Sequence, residues 1–166
     1  MIAQICEESK CTGCLACMNL CPCGAITCQE REDGNVIPQI DVFCENGYTK
    51  EEMKVTNETR KILHLSEDVP ISCTAVRVPV FHGHSEAVTI EFEKEITPEK
   101  ARELLENAWG VEVMDDTENY IYPTPVDAAG ENPVYVGRIR KNIAFDNAID
   151  LWCVADNIRI GAALNT

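Results

Sequence analysis

A chain of 166 residues has room for two small domains, or for one domain with an appendage. With 14 Lys+Arg against 28 Asp+Glu and a net charge of −14, it is built to repel phosphate backbones and anionic lipid, and no nucleic-acid or membrane partner is expected. A hydrophobic content of 45% argues against wholesale disorder, no stretch reaches the roughly 18 apolar residues of a membrane span, and MIAQICEESK shows no basic start followed by an apolar run, so the expected location is the cytoplasm.

The first element is a cysteine cluster. Ten cysteines are present, eight of them within the first 44 residues: Cys6, Cys11, Cys14, Cys17, Cys21, Cys23, Cys28 and Cys44. Without a secretory signal, metal binding is a better reading of such a cluster than disulfides. Cys11, Cys14, Cys17 and Cys21 are spaced C-x2-C-x2-C-x3-C with Pro22 directly after. That spacing is the bacterial ferredoxin arrangement for a [4Fe–4S] cluster, in which short gaps let a tight loop bring thiolates to the corners of a cubane. Zinc sites pair two CxxC units across a longer loop. The segment from residue 3 to residue 44 resembles half of a bacterial-type two-cluster ferredoxin domain. In that family the cysteine before the proline serves the other cluster, and a second motif is expected near Cys44, after the extended run Val36–Ile40. None follows, so Cys11, Cys14 and Cys17 face one cluster, and Cys6, Cys23, Cys28 and Cys44 are all open as substitutes for Cys21.

After Cys44 the texture changes. Thr49 with Glu52 forms a capping-box pattern ahead of a helix in which Met53, Thr56, Arg60 and Leu63 share a face. A β-branched run predicts a strand over Ile71–Phe81, with Pro79 marking an edge or bend. Ala87–Glu93 alternates as a strand. Thr97 and Pro98 open a second helix running to about Ala108, with Gly110 to end it. Val111–Met114 is a short strand, Tyr120–Glu131 a long loop, and Val134–Arg140 and Ile149–Ala155 are strands. Ile160–Leu164 opens a helix. Strands outnumber helices, so the fold class is α+β: a small iron–sulfur module over residues 1–45, then a mainly antiparallel sheet with helices on one face over residues 46–166.

The segments NGYTKEEMK, NETRKIL, AVRVPVFHGHSEAV, YPTPVDAAG, VGRIRK and LWCVADNIRIGAALN, in this order, resemble aspartate-β-semialdehyde dehydrogenase in the part called its dimerisation domain. The resemblance implies NADP-dependent interconversion of aspartate semialdehyde and aspartyl phosphate, in which a cysteine thiolate attacks the aldehyde, hydride leaves to the nicotinamide and phosphate cleaves the thioester. Carried over by motif, His84 is the acid/base, Arg77 holds the substrate carboxylate, Glu51 its ammonium and Lys54 the phosphate, while Asn165 lies beside the nicotinamide. The residue types suit those tasks: a guanidinium matches a carboxylate, an imidazole moves protons near neutral pH, and Glu51 and Lys54 share a helix face at a spacing of three. Read without the resemblance, Glu51 and Lys54 are an ordinary solvated pair, His84 a loop histidine and Arg77 a strand-edge charge.

Two parts of that enzyme are not found in the sequence. No Asn-Cys-Ser/Thr motif supplies the nucleophile, and Cys73 and Cys153 sit between apolar neighbours as inert thiols do. No G-x-G-x-x-G turn provides a nucleotide cradle. The expectation is therefore a fusion of an iron–sulfur segment with the substrate-binding, self-associating part of the dehydrogenase. It is expected to form a homodimer, to be inactive alone, and to need a nucleotide-binding half in trans. The alternative is an electron-transfer protein whose second part is a dimerisation scaffold.

Overall fold

The computed structural model describes residues 36–160. The four cluster cysteines, Asn165 and nearly all of the helix expected at Ile160–Leu164 lie outside the described residues. The described residues divide into two units between Pro79 and Val80. No described helix is long and apolar enough to cross a membrane.

The first unit is organised by helix α1, Lys50–Ile62. Its start is the capping box read from the sequence: the Thr49 hydroxyl accepts from the Glu52 amide at 3.3 Å, and the Glu52 carboxylate accepts from the Thr49 amide at 2.7 Å. Glu51 and Glu52 in the first turn and Arg60 and Lys61 in the last turn complement the helix dipole. The helix buries Glu52 and Thr56, whereas Ile62 and Leu63 at its far end stay exposed.

The strand expected over Ile71–Phe81 is an extended segment and not a strand. Its side chains do alternate, with Ile71, Cys73, Ala75 and Arg77 half-buried and their neighbours exposed, but its only ladder contact among the described residues is an isolated antiparallel bridge between Arg77 and Ile37. Two causes are visible. Pro38 follows Ile37 and has no N–H to continue the pairing, and the Ala75 amide donates to the Glu52 carboxylate at 2.8 Å rather than to a neighbouring strand. The expected extended run Val36–Ile40 likewise contributes one bridge. Ile37 and Phe43, on the near side of the expected 45/46 boundary, each pair with a residue beyond it, Arg77 and Thr49.

The second unit is a four-stranded sheet in the order β1-β4-β3-β2, formed by β1 (His84–Glu91), β2 (Val111–Val113), β3 (Val134–Lys141) and β4 (Ala148–Ala155). β4 pairs antiparallel with β1 and β3, and β2 runs parallel to β3, so the sheet is mixed and the class is α+β. Helix α2, Pro98–Glu106, starts as read: the Thr97 hydroxyl accepts from the Lys100 amide at 3.2 Å, with Pro98 in the first turn. Strand alternation then sorts the two faces. Val136, Ile139, Ile149 and Leu151 bury against Ala101 of α2, while Tyr135 and Val154 on the other face close over Ala128. Ala128 ends a four-residue helix, α3 (Pro125–Ala128), inside the segment expected to be all loop. It forms because the Asp127 carboxylate accepts from the Thr124 amide at 2.8 Å and Pro125 presets the first turn.

β3 is bulged between Gly137 and Arg140, with Arg138 at φ 57°. The bulge turns two consecutive amides away from β4, and the Asp115 carboxylate takes both, from Arg138 at 2.7 Å and Ile139 at 3.1 Å. Asp115, 3% exposed, is also paired with Arg102 of α2. One side chain thus joins β2's exit, the bulge and the helix. Gly137 is the other fixed point, since a Cβ there would lie 2.3 Å from the Met114 carbonyl oxygen and 2.6 Å from Pro123 Cδ.

Asp115→Ala leaves the bulge amides without an acceptor and is expected to cost about 1–3 kcal/mol, read as a lowered midpoint in urea unfolding. Gly137→Ala is expected to cost a similar amount, about 1–3 kcal/mol, through overpacking. An unchanged midpoint in either variant contradicts this account of the sheet.

Candidate functional site

Glu51 and Lys54 lie one helical turn apart on the exposed face of α1, with Lys54 Nζ 3.7 Å from Glu51 Oε1. The Lys54 side chain is 56% and the Glu51 side chain 37% exposed, so the pair adds little to stability and both groups remain available to a ligand. Their neighbour Glu52 points inward instead. Its carboxylate bridges the Thr49 amide and the Ala75 amide, its carbonyl oxygen accepts from Cys73 Sγ at 3.5 Å, and it is 6% exposed. In the sequence Glu52 is legible only as a helix cap. Its reach across to Ala75 is a contact between residues 23 apart in the chain, which no local pattern signals.

Arg77 is fixed through its backbone, which exchanges two hydrogen bonds with Ile37 at 2.8 and 2.9 Å. Its Nε is buried and has no hydrogen-bond partner among the described residues. A buried guanidinium donor without an acceptor is costly, and a carboxylate is the acceptor that fits it best. Arg77, Glu51 and Lys54 all belong to the first unit.

His84 is in the second unit, as the first residue of β1, exposed and opposite Ala155 of β4. Gly83 sets its approach: at φ +77° a Cβ would come within 2.8 Å of the Ala155 carbonyl oxygen, so only glycine fits without moving β4. The histidine therefore stands at the end of the sheet on a backbone held close to the chain that leads to Asp156. Burial pushes the Asp156 carboxyl up, but the Gly130, Ile158 and Arg159 amides outweigh it and hold the group below its usual range.

Cys153 behaves as its apolar flanks suggest. Burial pushes Cys153 up to about 11, helped by the Glu86 carboxylate, so it is a neutral thiol at pH 7. Among the described residues no group of three or more His, Cys, Asp or Glu side chains is placed to hold a metal ion.

A cleft of about 310 Å³ opens on the sheet face opposite α2, lined among others by Ala87, Tyr122, Arg138, Arg140 and Trp152. The Arg140 guanidinium is committed there, donating to the Arg138 carbonyl at 2.8 Å and lying 3.5 Å from Asp150. The Thr89 hydroxyl and the Asn142 amide hold the Asp150 carboxyl below its ordinary range, with Arg140 adding to them.

Residues 28–160 match the family described as semialdehyde dehydrogenase, dimerisation domain, and residues 7–27 match a 4Fe-4S binding domain. The aspartate-semialdehyde dehydrogenase of Aquifex aeolicus is 56% identical over 131 residues, 79% of this chain and 38% of that protein. The Bacillus subtilis enzyme is 50% identical over 133 residues, 80% of this chain and 38% of that protein. Among solved structures, aspartate semialdehyde dehydrogenase II of Vibrio cholerae complexed with ASA superposes with a TM-score of 0.73 at 47% identity, over 77% of this chain and 37% of that one. The chain thus spans about 38% of the length of the curated relatives it matches.

The Thr49 and Ala75 amides hold the Glu52 carboxyl below its ordinary range, against a smaller opposing push from burial. A group depressed on folding stabilises fully above the unfolded carboxylate pKa of about 4.3, and that contribution is lost as pH falls below it. Acid titration followed by exchange of the Ala75 amide is expected to show protection above that point and its progressive loss below. In Glu52→Gln the pH dependence should vanish. Equal dependence in both proteins contradicts the assignment.

Proposed function

Since the chain belongs to the semialdehyde dehydrogenase dimerisation-domain family, we propose that it binds aspartate semialdehyde and phosphate, self-associates as a homodimer, and carries an iron–sulfur cluster on its N-terminal segment. The observation that carries the substrate reading is the family match over residues 28–160, and Arg77 supports it, since its buried Nε, like that of Arg60, has no acceptor among the described residues and a substrate carboxylate would provide one. Glu51 then faces the ammonium, and Lys54, on the same helical face, the phosphate. His84 supplies the proton-transfer group, an imidazole at the open end of the sheet. A thiolate nucleophile comes from outside these 166 residues: none of their cysteines stands in an Asn-Cys-Ser/Thr motif, and Cys153 is held neutral. NADP, the hydride acceptor implied by the family, has no Gly-rich cradle here. Asn165 is the single residue carried over beside it, and the residues present do not make a site for it.

Cys11, Cys14 and Cys17, with Cys21 or one of Cys6, Cys23, Cys28 and Cys44 as the fourth soft thiolate, fit a [4Fe–4S] cluster, which supplies one-electron transfer when bound. The two family matches abut at residues 27 and 28, and Ile37 bridges to Arg77. Both favour a join between cysteine-rich segment and dehydrogenase part that lies ahead of residue 37 rather than at 45/46. An electron-transfer protein with a dimerisation scaffold is separated from this reading by whether the semialdehyde binds.

The polypeptide alone is expected to give no NADP reduction with aspartate semialdehyde and phosphate. Addition of a separately produced nucleotide-binding half should restore it, and His84→Ala should lower the restored rate by roughly 10²–10⁴. Turnover by the chain alone, or a restored rate indifferent to His84, refutes the reading. Anaerobic reconstitution is expected to load about four irons per chain with broad visible absorption, and a colourless zinc-loaded product refutes the cluster.

A further inference from the structure

Glu51 and Glu52 are adjacent and chemically identical, yet one faces outward beside Lys54 while the other is buried between α1 and the segment that carries Arg77. A capping box needs only the Thr49 contact. The second oxygen does something more: Glu52 Oε1 accepts from the Ala75 amide at 2.8 Å while Oε2 accepts from the Thr49 amide at 2.7 Å. A third contact, Cys73 Sγ to the Glu52 carbonyl oxygen at 3.5 Å, lands on the same pair of segments. Ala75 is two residues from Arg77 along an extended chain, so on the pleat both point to one side, and the Arg77 backbone is held by its two bonds to Ile37.

We propose that Glu52 is a positioning residue of the substrate site, setting the distance between the ammonium and phosphate binders on α1 and the carboxylate binder Arg77. The inference rests on the reading of Arg77, Glu51 and Lys54 given above. A small amino acid touching Glu51 and Arg77 together senses that distance. Inorganic phosphate, which touches Lys54 alone, does not. Placement errors of about 1 Å are enough to weaken a multi-point site severely. The substitution Glu52→Gln keeps the side chain's size but turns an N–H donor toward one of the two amides, so one of the two ties is lost.

The test uses the full chain and two probes, L-aspartate β-semialdehyde and inorganic phosphate, titrated by calorimetry. Glu52→Gln is expected to weaken semialdehyde binding roughly tenfold or more while phosphate binding stays within about twofold. Thr49→Ala removes the hydroxyl cap and a buried methyl but keeps the Thr49 and Ala75 amides on the Glu52 carboxylate, so it should lower stability by about 1–2 kcal/mol and leave the ratio of the two affinities unchanged. A purely structural Glu52 predicts the opposite pattern, with both probes weakened together or Thr49→Ala matching Glu52→Gln, and either result overturns the inference. Wild-type protein that binds no semialdehyde, semialdehyde binding indifferent to Arg77→Lys, or phosphate binding indifferent to Lys54→Ala overturns instead the substrate reading beneath it. Should Glu52→Gln lose its far-UV helix signal, Glu52→Asp, a carboxylate one methylene short, is read by the same ratio. Failure of both to fold assigns Glu52 to stability alone and likewise overturns the proposal.

Discussion

Where strand pairing breaks off in this chain, a side-chain carboxylate takes over the backbone. Asp115 accepts the two amides that the β3 bulge turns away from β4, Glu52 accepts one amide from each of two segments, and Asp156 accepts from Gly130 and Ile158. Buried amides must find acceptors, and a carboxylate can serve two donors at once. The excess of acidic residues is therefore not all solvated surface. Some of it is internal wiring, and the remaining irregular backbone is held in place by it. Asp115 has the widest reach, since the same group also pairs with Arg102 and so fixes α2 to the sheet.

The legible parts of the fold were those set by neighbours in sequence. The capping box at Thr49, the Thr97–Pro98 helix start and the alternation of β1, β3 and β4 are local patterns, and each element formed within a few residues of its expected place. What escaped was decided by partners far along the chain. Ile71–Phe81 has the composition and alternation of a strand but makes a single ladder bridge among the described residues, which Pro38 keeps from extending. The bulge at Arg138 puts a non-glycine residue at positive φ, which composition does not announce. The parallel pairing of β2 with β3 was equally invisible, because register across a sheet is not a local property.

The candidate site shows the same division. Residue types and the one-turn spacing of Glu51 and Lys54 could be read directly, and the family resemblance gave them roles. The structure places Glu51 beside Lys54 on α1 and leaves Arg77 Nε buried without a partner among the described residues. The tie through Glu52 could not be read, since the sequence presents it as the second of two like residues in a helix's first turn. The N-terminal cysteines are a contrasting case: their C-x2-C-x2-C-x3-C spacing is local and legible directly, and residues 7–27 match a 4Fe-4S binding domain.

Every buried apolar side chain among the described residues lies in the second unit, whereas the first buries Thr49, Glu52 and Thr56. Oil-like interiors and directional polar contacts answer to different stresses. Apolar burial sets the heat-capacity increment and the sensitivity to urea, while a carboxylate bonded to amides answers to protons. Urea therefore acts chiefly on the second unit, through its hydrocarbon, whereas acid reaches both, through Glu52 in the first and Asp156 in the second.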